Sequence, residues 1–159
     1  VDIFKPYIKK HVKAGDYKDC QHADILKMHL TPNSFDAVVM FDVLEHLARP
    51  DVEACKLFDR MERAARKKVI FFTPNGFIEN DEVDGDIWQR HLSAWEPEDY
   101  LARGYTVKGA TGWRKILGKA SLPRYKPMRF FEGLALLSQP IVYDHPEWAW
   151  HSYAVKKVG

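Results

Sequence analysis

Two carboxylates and an imidazole stand close together in the segment DVLEHL, residues 42–47. Asp42, Glu45 and His46 occupy positions i, i+3 and i+4, so one helical turn would bring the three side chains together. Such a set suits Mg²⁺, Mn²⁺ or Zn²⁺. A metal held there would lower the pKa of a substrate hydroxyl group that binds beside it, here called the acceptor hydroxyl. The alternative is that Glu45 and His46 fix the loop through hydrogen bonds. We favour that alternative and assign no metal ligand, because three ligands make an incomplete site.

His91, in the segment QRHLSAW of residues 89–95, is the best candidate for a fourth ligand or for a general base. An imidazole with its ordinary pKa of about 6.5 can accept a proton from an acceptor hydroxyl near neutral pH. The alternative is an ordinary structural histidine that precedes a helix. The candidate catalytic residues are therefore Glu45, His46 and His91.

The elements that must position these residues alternate between strands and helices. Residues 35–43 predict a strand whose run 38–41 has no polar face, as expected of a central parallel strand covered on both sides. Residues 69–72 predict a second, fully apolar strand. Between them a helix opens at Arg49-Pro50, with Asp51 as its N-cap. Its buried face repeats at spacings of three and four and consists of Val52, Cys55, Phe58, Met61 and Ala65. This βαβ unit predicts an α/β fold with an open, mostly parallel sheet.

The other elements are shorter. Before this unit, strands at residues 1–4 and 17–23 flank a helix that ends at Gly15. After it we expect an acidic loop at 79–86, helices at 96–103 and 129–138, and strands that begin at 105 and span 152–158. Three acidic residues then fall at strand ends, where doubly wound sheets bind ligands. They are Asp2, Asp24 and Asp42.

Composition narrows the classes of function. Charged residues make up 29% of the 159 residues and the net charge is +2, which excludes a strongly basic nucleic-acid coat. The longest wholly apolar run is far shorter than a membrane span of about 20 residues. No signal peptide is visible at the first residues. Cys20 and Cys55 form no CxxC pair, which is typical of reduced thiols in a cytoplasmic protein.

Residues 114–129 contain six basic residues and no acid. This segment could contact an anionic acceptor, or a membrane surface beside Phe130, Phe131 and Leu134. We favour a solvated basic face with the aromatic side chains turned into the core. Trp148 and Trp150 are expected to pack under the last strand.

The series VDIF at residues 1–4, HADI at 22–25, SFDAVV at 34–39 and DVLEHL at 42–47 resembles the class I S-adenosylmethionine-dependent methyltransferases. The resemblance is to the subgroup with a D-x-x-E-H-L motif after the fourth strand, and it covers residues 1–113 best. It implies a Rossmann-like fold and S-adenosylmethionine as the cofactor. The glycine-rich turn of that family, E/D-x-G-x-G, is not in the sequence. We therefore expect a domain that lacks the first strand and this turn.

The resemblance also implies roles for individual residues. Asp2 would hold the ribose hydroxyls and Asp24 would accept from the adenine amino group. Ile3 would pack against the adenine face, and Ile25 would lie beside Asp24. Phe41 and Asp42 would line the methionine part of the cofactor.

The implied function is methyl transfer to an oxygen, nitrogen or carbon atom of a small-molecule acceptor. Residues 1–159 would form a single domain, with 114–150 as a helical insertion or a substrate-side cap. No nucleic-acid partner and no transmembrane segment are expected, and exposed sheet edges could cause self-association. Two alternatives stay open: a nicotinamide-dependent Rossmann oxidoreductase, because Asp2 suits its ribose equally well, and a non-catalytic methyltransferase-like binding module.

Overall fold

The computed structural model describes residues 1–80 and 85–159 and shows a four-stranded sheet flanked by helices. The strands are β1 (Phe35–Phe41), β2 (Ala65–Pro74), β3 (Thr106–Trp113) and β4 (Ala149–Lys157). Their order across the sheet is β1-β2-β4-β3. The pair β1–β2 is parallel, whereas β4 pairs antiparallel with both β2 and β3. The predicted mixed α/β, Rossmann-like fold class is confirmed, with the parallel arrangement at the start of the sheet.

Strand β1 lies at an edge of this sheet rather than at its centre. In the part of the chain that the structure describes, β1 pairs with β2 alone. Its Met40 points into the core, but Val39 and Phe41 on the other face are each 54% exposed. The expectation of a central strand covered on both sides was therefore wrong. An apolar run shows that a strand can be buried, but not whether neighbours cover it.

The connection between β1 and β2 consists of two helices instead of one, α2 (Arg49–Ala54) and α3 (Leu57–Ala64). Lys56, between them, has a φ of 50° in the left-handed region, which ends the first helix. The N-cap of α2 is Ala48, so the prediction of Asp51 as N-cap was wrong, and Asp51 lies in the first turn instead. The predicted buried helix face is confirmed for Val52, Phe58 and Met61, while Cys55 is half-buried. Ala65 is buried as well, but it begins β2 rather than continuing the helix, so its assignment to the helix was wrong.

Helix α1 (Lys5–Ala14) ends at Gly15, as predicted, where a φ of 71° allows the backbone to close the helix. The sequence had suggested strands on either side of α1, but neither segment forms a full strand. Among the described residues one isolated parallel bridge joins the two segments, between Asp2 and His22. The chain then returns to the sheet, where Ile25, Leu26 and Leu30 pack against the main core.

The C-terminal part contains α4 (Pro97–Leu101) and α5 (Met128–Asp144). Helix α4 begins with a capping box between Glu96 and Asp99. Helix α5 packs on β3, where a Cβ at Gly109 would collide with the Val142 carbonyl of the helix. The helix continues past Pro140, beyond its predicted end at residue 138. No helix in the described residues is long and apolar enough to cross a membrane.

Candidate active site

The chain leaves the sheet directly after β1, and this turn places Asp42. The φ of Asp42 is 48°, and its N–H donates to the Phe72 carbonyl at 2.8 Å. A short 3-10 turn, Leu44–His46, follows. Asp42 thus stands beyond the carboxyl ends of the parallel strands β1 and β2, which is the edge where open α/β sheets bind ligands.

Residues 91–95 hold this turn in place through long-range hydrogen bonds. The carbonyl of the fully buried Leu44 accepts from the Ser93 hydroxyl and the Trp95 indole N–H, both at 3.2 Å. The carbonyl of Glu45 accepts from the backbone N–H groups of Leu92 and Ser93 at 2.7 and 3.0 Å. The two segments therefore form one unit, although more than 40 residues separate them in the sequence.

The side chain of Glu45 is buried at the centre of this unit. The residue is 2% exposed, and its Oε2 atom has no hydrogen-bond partner among the described residues. Burial raises the pKa of this carboxyl to about 8, and the negative charge of Asp42 adds to the effect. Glu45 is therefore protonated at neutral pH, so its carboxylic acid can donate a hydrogen bond.

His46 and His91 lie against each other beside Glu45. Their ring centroids are 4.8 Å apart with an interplanar angle of 73°. Each Nδ1 donates to a backbone carbonyl, that of Arg90 at 3.0 Å for His46 and that of Ile78 at 2.5 Å for His91. Because a carbonyl only accepts, this contact puts the ring proton on Nδ1 and leaves Nε2 as an acceptor when the ring is neutral. Burial lowers the pKa of His91, and His46 lowers it further.

The structure thus brings the three candidate catalytic residues together, with one ligand atom from each of Glu45, His46 and His91 within 4.8 Å of the others. The spacing in the sequence had grouped Asp42, Glu45 and His46 as metal ligands, with His91 as the candidate fourth; Asp42 is not part of the cluster that the structure forms. The three side chains are of the types that bind Zn²⁺ or Mn²⁺, and carbonyl-anchored imidazoles are common around such ions. Among the described residues the cluster offers three ligands, and an incomplete ligand set favours proton transfer over metal binding.

His151 is a functional candidate that the sequence reasoning missed. It lies near the start of β4, stacks on Phe72 with centroids 4.3 Å apart, and is almost fully buried. One ring nitrogen contacts the Thr111 hydroxyl at 2.7 Å, and the other lies 3.5 Å from Asp42 Oδ1. An antiparallel strand begins where its parallel neighbours end, so a histidine at the start of the last strand was a usable signal.

The two carboxylates assigned to the adenosine part lie on adjacent segments. The bridge between Asp2 and His22 places the two segments side by side. Asp2 Oδ1 accepts from the backbone N–H of Phe4 at 2.7 Å, and Asp24 Oδ1 accepts from that of Leu26 at 3.0 Å. Each carboxylate thus uses one oxygen to hold its own turn, and the second oxygen of Asp24 lies 3.4 Å from the exposed Lys27. This acceptor set fits the hydroxyl and amino donors of an adenosine.

The other residues assigned to the cofactor fall into two groups. The Ile3 carbonyl contacts His22 Nε2 at 2.9 Å, and Ile25 packs against the core. Phe41, by contrast, stacks edge-to-face on Phe72 at the end of β1. No hydrogen bond or ion pair between described residues joins the Asp2 and Asp24 segments to Asp42. The predicted acidic loop at 79–86 falls partly on residues 81–84, outside the described residues.

An open α/β sheet with a polar cluster beyond the carboxyl ends of its parallel strands defines a Rossmann-like class of protein. The family model described as a methyltransferase domain matches residues 1–73. This match confirms the predicted resemblance to class I methyltransferases and supports methyltransferase activity in general. It covers the chain from Asp2 through β2, and His91 lies beyond it. A search of curated proteins finds no match for this chain.

Proposed function

We propose that this protein is an S-adenosylmethionine-dependent methyltransferase that acts on a small-molecule acceptor, with His91 as the general base. The observation that carries the proposal is the grouping of Glu45, His46 and His91 beyond the carboxyl end of β1. The family match to residues 1–73 supports the reaction class and implies the cofactor. The unpaired Cys20 and Cys55 support a cytoplasmic location.

Each residue of the cluster has a separate role toward the acceptor. S-adenosylmethionine, when bound, supplies a methyl group activated by its sulfonium. The neutral His91 accepts the proton that the acceptor hydroxyl or amine releases, through Nε2, because Nδ1 is engaged by Ile78. The protonated Glu45 can donate a hydrogen bond to a second oxygen of the acceptor, which orients it. His46 holds the His91 ring at its edge.

Asp2 and Asp24 carry the binding of the adenosine part. We propose that Asp2 holds the ribose hydroxyls, with Ile3 near the adenine face, and that Asp24 accepts from the adenine amino group. Phe41 and Asp42 would then line the methionine part at the end of β1. The exposed position of Phe41 leaves its ring available for such a contact.

Calorimetric titration of S-adenosylhomocysteine into the chain tests this assignment. We expect saturable binding, which Asp2→Ala weakens by about 1–3 kcal/mol because ligand donors lose their acceptor. The control is Asp19→Ala, an exposed carboxylate on the segment after α1, five residues before Asp24, which should leave affinity unchanged.

A parallel titration with NAD⁺ distinguishes the oxidoreductase alternative. Binding of NAD⁺ but not of S-adenosylhomocysteine would show that Asp2 serves a nicotinamide cofactor. Binding of neither ligand would favour a non-catalytic module. Equal affinity of Asp2→Ala and the unmodified chain would remove Asp2 from the site.

A further inference from the structure

Helix α5 turns an apolar face to solvent. Phe130 and Ile141 are each 59% exposed, Leu136 is 76% exposed and Leu137 is 75% exposed. Phe130, Leu137 and Ile141 stand at positions i, i+7 and i+11, so they form one stripe along the helix. The expectation that the aromatic side chains here turn into the core was therefore wrong for Phe130.

The opposite face of α5 already satisfies the packing of the helix on the sheet. Ala135 and Val142 are buried. The Gln139 side chain bonds the Gly109 carbonyl and the Gly112 N–H of β3, at 2.9 and 3.0 Å. The exposed stripe is thus not the core-facing side of a loosely placed helix, but a second apolar face that the described fold leaves without a partner.

The basic segment, residues 114–127, packs directly against this helix. Leu117 shares a small core with Ala135, and the Tyr125 ring lies 5.2 Å from the Phe131 ring. The segment carries five cations, and Arg129 of α5 stands seven residues before Leu136, on the same helix face. Within the described residues only Lys119 of these cations has an ion pair, with Glu79 at 3.8 Å.

A cavity of about 430 Å³ lies beside the basic segment. Its lining combines cations and amphipathic aromatic side chains with a single acid: Trp113, Arg114, Lys115, Arg124, Tyr125, Glu147 and Trp148. Trp148, which the sequence had placed under the last strand, is largely exposed here, and so is Tyr125. Tryptophan and tyrosine are enriched where a protein meets the interface between lipid and water.

We propose that α5 and the basic segment dock this protein onto an anionic membrane surface. The stripe of Phe130, Leu137 and Ile141 would enter the boundary between headgroups and acyl chains, and the cations would contact the lipid phosphates. With 17 residues and one buried face, α5 lies in the plane of the interface rather than across the bilayer.

A second copy of the chain fits this surface less well than a lipid does. A two-fold dimer brings the same patch of both subunits together. The basic segments would then face each other, and like charges across an interface are unfavourable. An anionic surface complements both the charge and the apolar stripe.

Co-sedimentation of the chain with lipid vesicles tests this proposal. We expect binding to vesicles of phosphatidylcholine and phosphatidylglycerol in equal parts, little binding to phosphatidylcholine alone, and weaker binding as salt rises. Leu137→Glu should reduce binding by at least about tenfold, because a leucine side chain that would enter the lipid is replaced by a charged one. Lys126→Gln should reduce it about fivefold, the value of one surface cation near anionic lipid.

Leu101→Glu is the matched control, because Leu101 is 52% exposed on α4, away from this surface. It should bind vesicles like the unmodified chain. Circular dichroism of each variant checks the fold, which exposed positions should preserve. Equal binding to neutral vesicles, or no binding to anionic ones, would overturn the proposal. So would a dimer in light scattering that Leu137→Glu converts to a monomer when no vesicle binding is found.

Discussion

The protein buries a carboxyl group near one edge of its sheet and exposes apolar side chains at the other. Glu45 lies beyond the end of β1, whereas α5 packs on β3 with its exposed stripe turned away from the sheet, and β1 and β3 are the two edge strands. Both features cost free energy, because burial disfavours a charged carboxylate and water disfavours exposed leucines. These two departures from ordinary burial are the places where we propose that the molecule binds its acceptor and an anionic membrane.

The largest effect that would test the polar region is on turnover. Removing the proton acceptor in His91→Ala should lower the rate of methyl transfer by about 10²–10⁴-fold, while affinity for S-adenosylhomocysteine stays unchanged. Transfer of a labelled methyl group to a panel of phenols, amines and carboxylates would measure the rate. His29→Ala, an exposed histidine outside the cluster, is the control.

The pH profile of the same reaction tests whether the neutral form of His91 is the one that works as the base. Because the pKa of His91 is lowered, the neutral base persists below the ordinary range of imidazole, and the rate should fall only at more acidic pH. A chelator should have no effect. Loss of activity on chelation, with recovery on adding Mg²⁺, Mn²⁺ or Zn²⁺, would show instead that Glu45, His46 and His91 hold a metal.

How far the sequence predicts each region depends on the range of the interactions. Local patterns sufficed for the end of α1 at Gly15 and for the apolar faces of α2 and α3. Proximity in the sequence also pointed to Glu45 and His46. His151 was missed because its place at the start of the last strand becomes informative only once β4 is known to pair antiparallel with β2, and the sequence analysis expected a mostly parallel sheet.

Helix α5 shows the same limit. Local rules end a helix before a proline, and the prediction stopped at residue 138. The helix continues through Pro140 because Gln139 is bonded to β3 and Val142 is buried beyond it. The apolar pattern of α5 also could not tell which apolar face meets the core, since both faces are apolar.

A second test of the polar region concerns stability. The folded chain keeps Glu45 protonated up to a pH of about 8, whereas the unfolded chain releases this proton near the ordinary value of 4.5. Between these values the folded state binds more protons, so the free energy of unfolding falls as pH rises, by up to about 1.4 kcal/mol per pH unit. Glu45→Gln removes this dependence.

Urea unfolding at several pH values between about 5 and 8 would measure the difference. The stability of Glu45→Gln relative to the unmodified chain should grow steadily with pH. Glu98→Gln, at an exposed position on α4, should keep the original slope. If the two variants show equal slopes, Glu45 is ionised in the folded state and cannot donate the proposed hydrogen bond.

The smallest effect separates the stripe of α5 from another exposed apolar surface, the edge of β1. Val39 and Phe41 are exposed there, and the outer side of the strand offers unpaired backbone groups to another chain. Two of the nearby cations are paired with an acid on β1 itself, since Asp36 contacts both Arg66 and Lys67 at 3.2 Å. This edge therefore matches a lipid surface less well than α5 and the basic segment do, and strand pairing between two copies is the association we expect from it. Light scattering over a range of concentrations should show weak self-association that Val39→Lys abolishes, because a lysine on an edge strand opposes pairing.

Val39→Lys should keep full binding to anionic vesicles, whereas Leu137→Glu should lose vesicle binding and still self-associate. If one substitution removed both properties, the two surfaces would act as one, and the distinction between a lipid-facing helix and a pairing edge would fail.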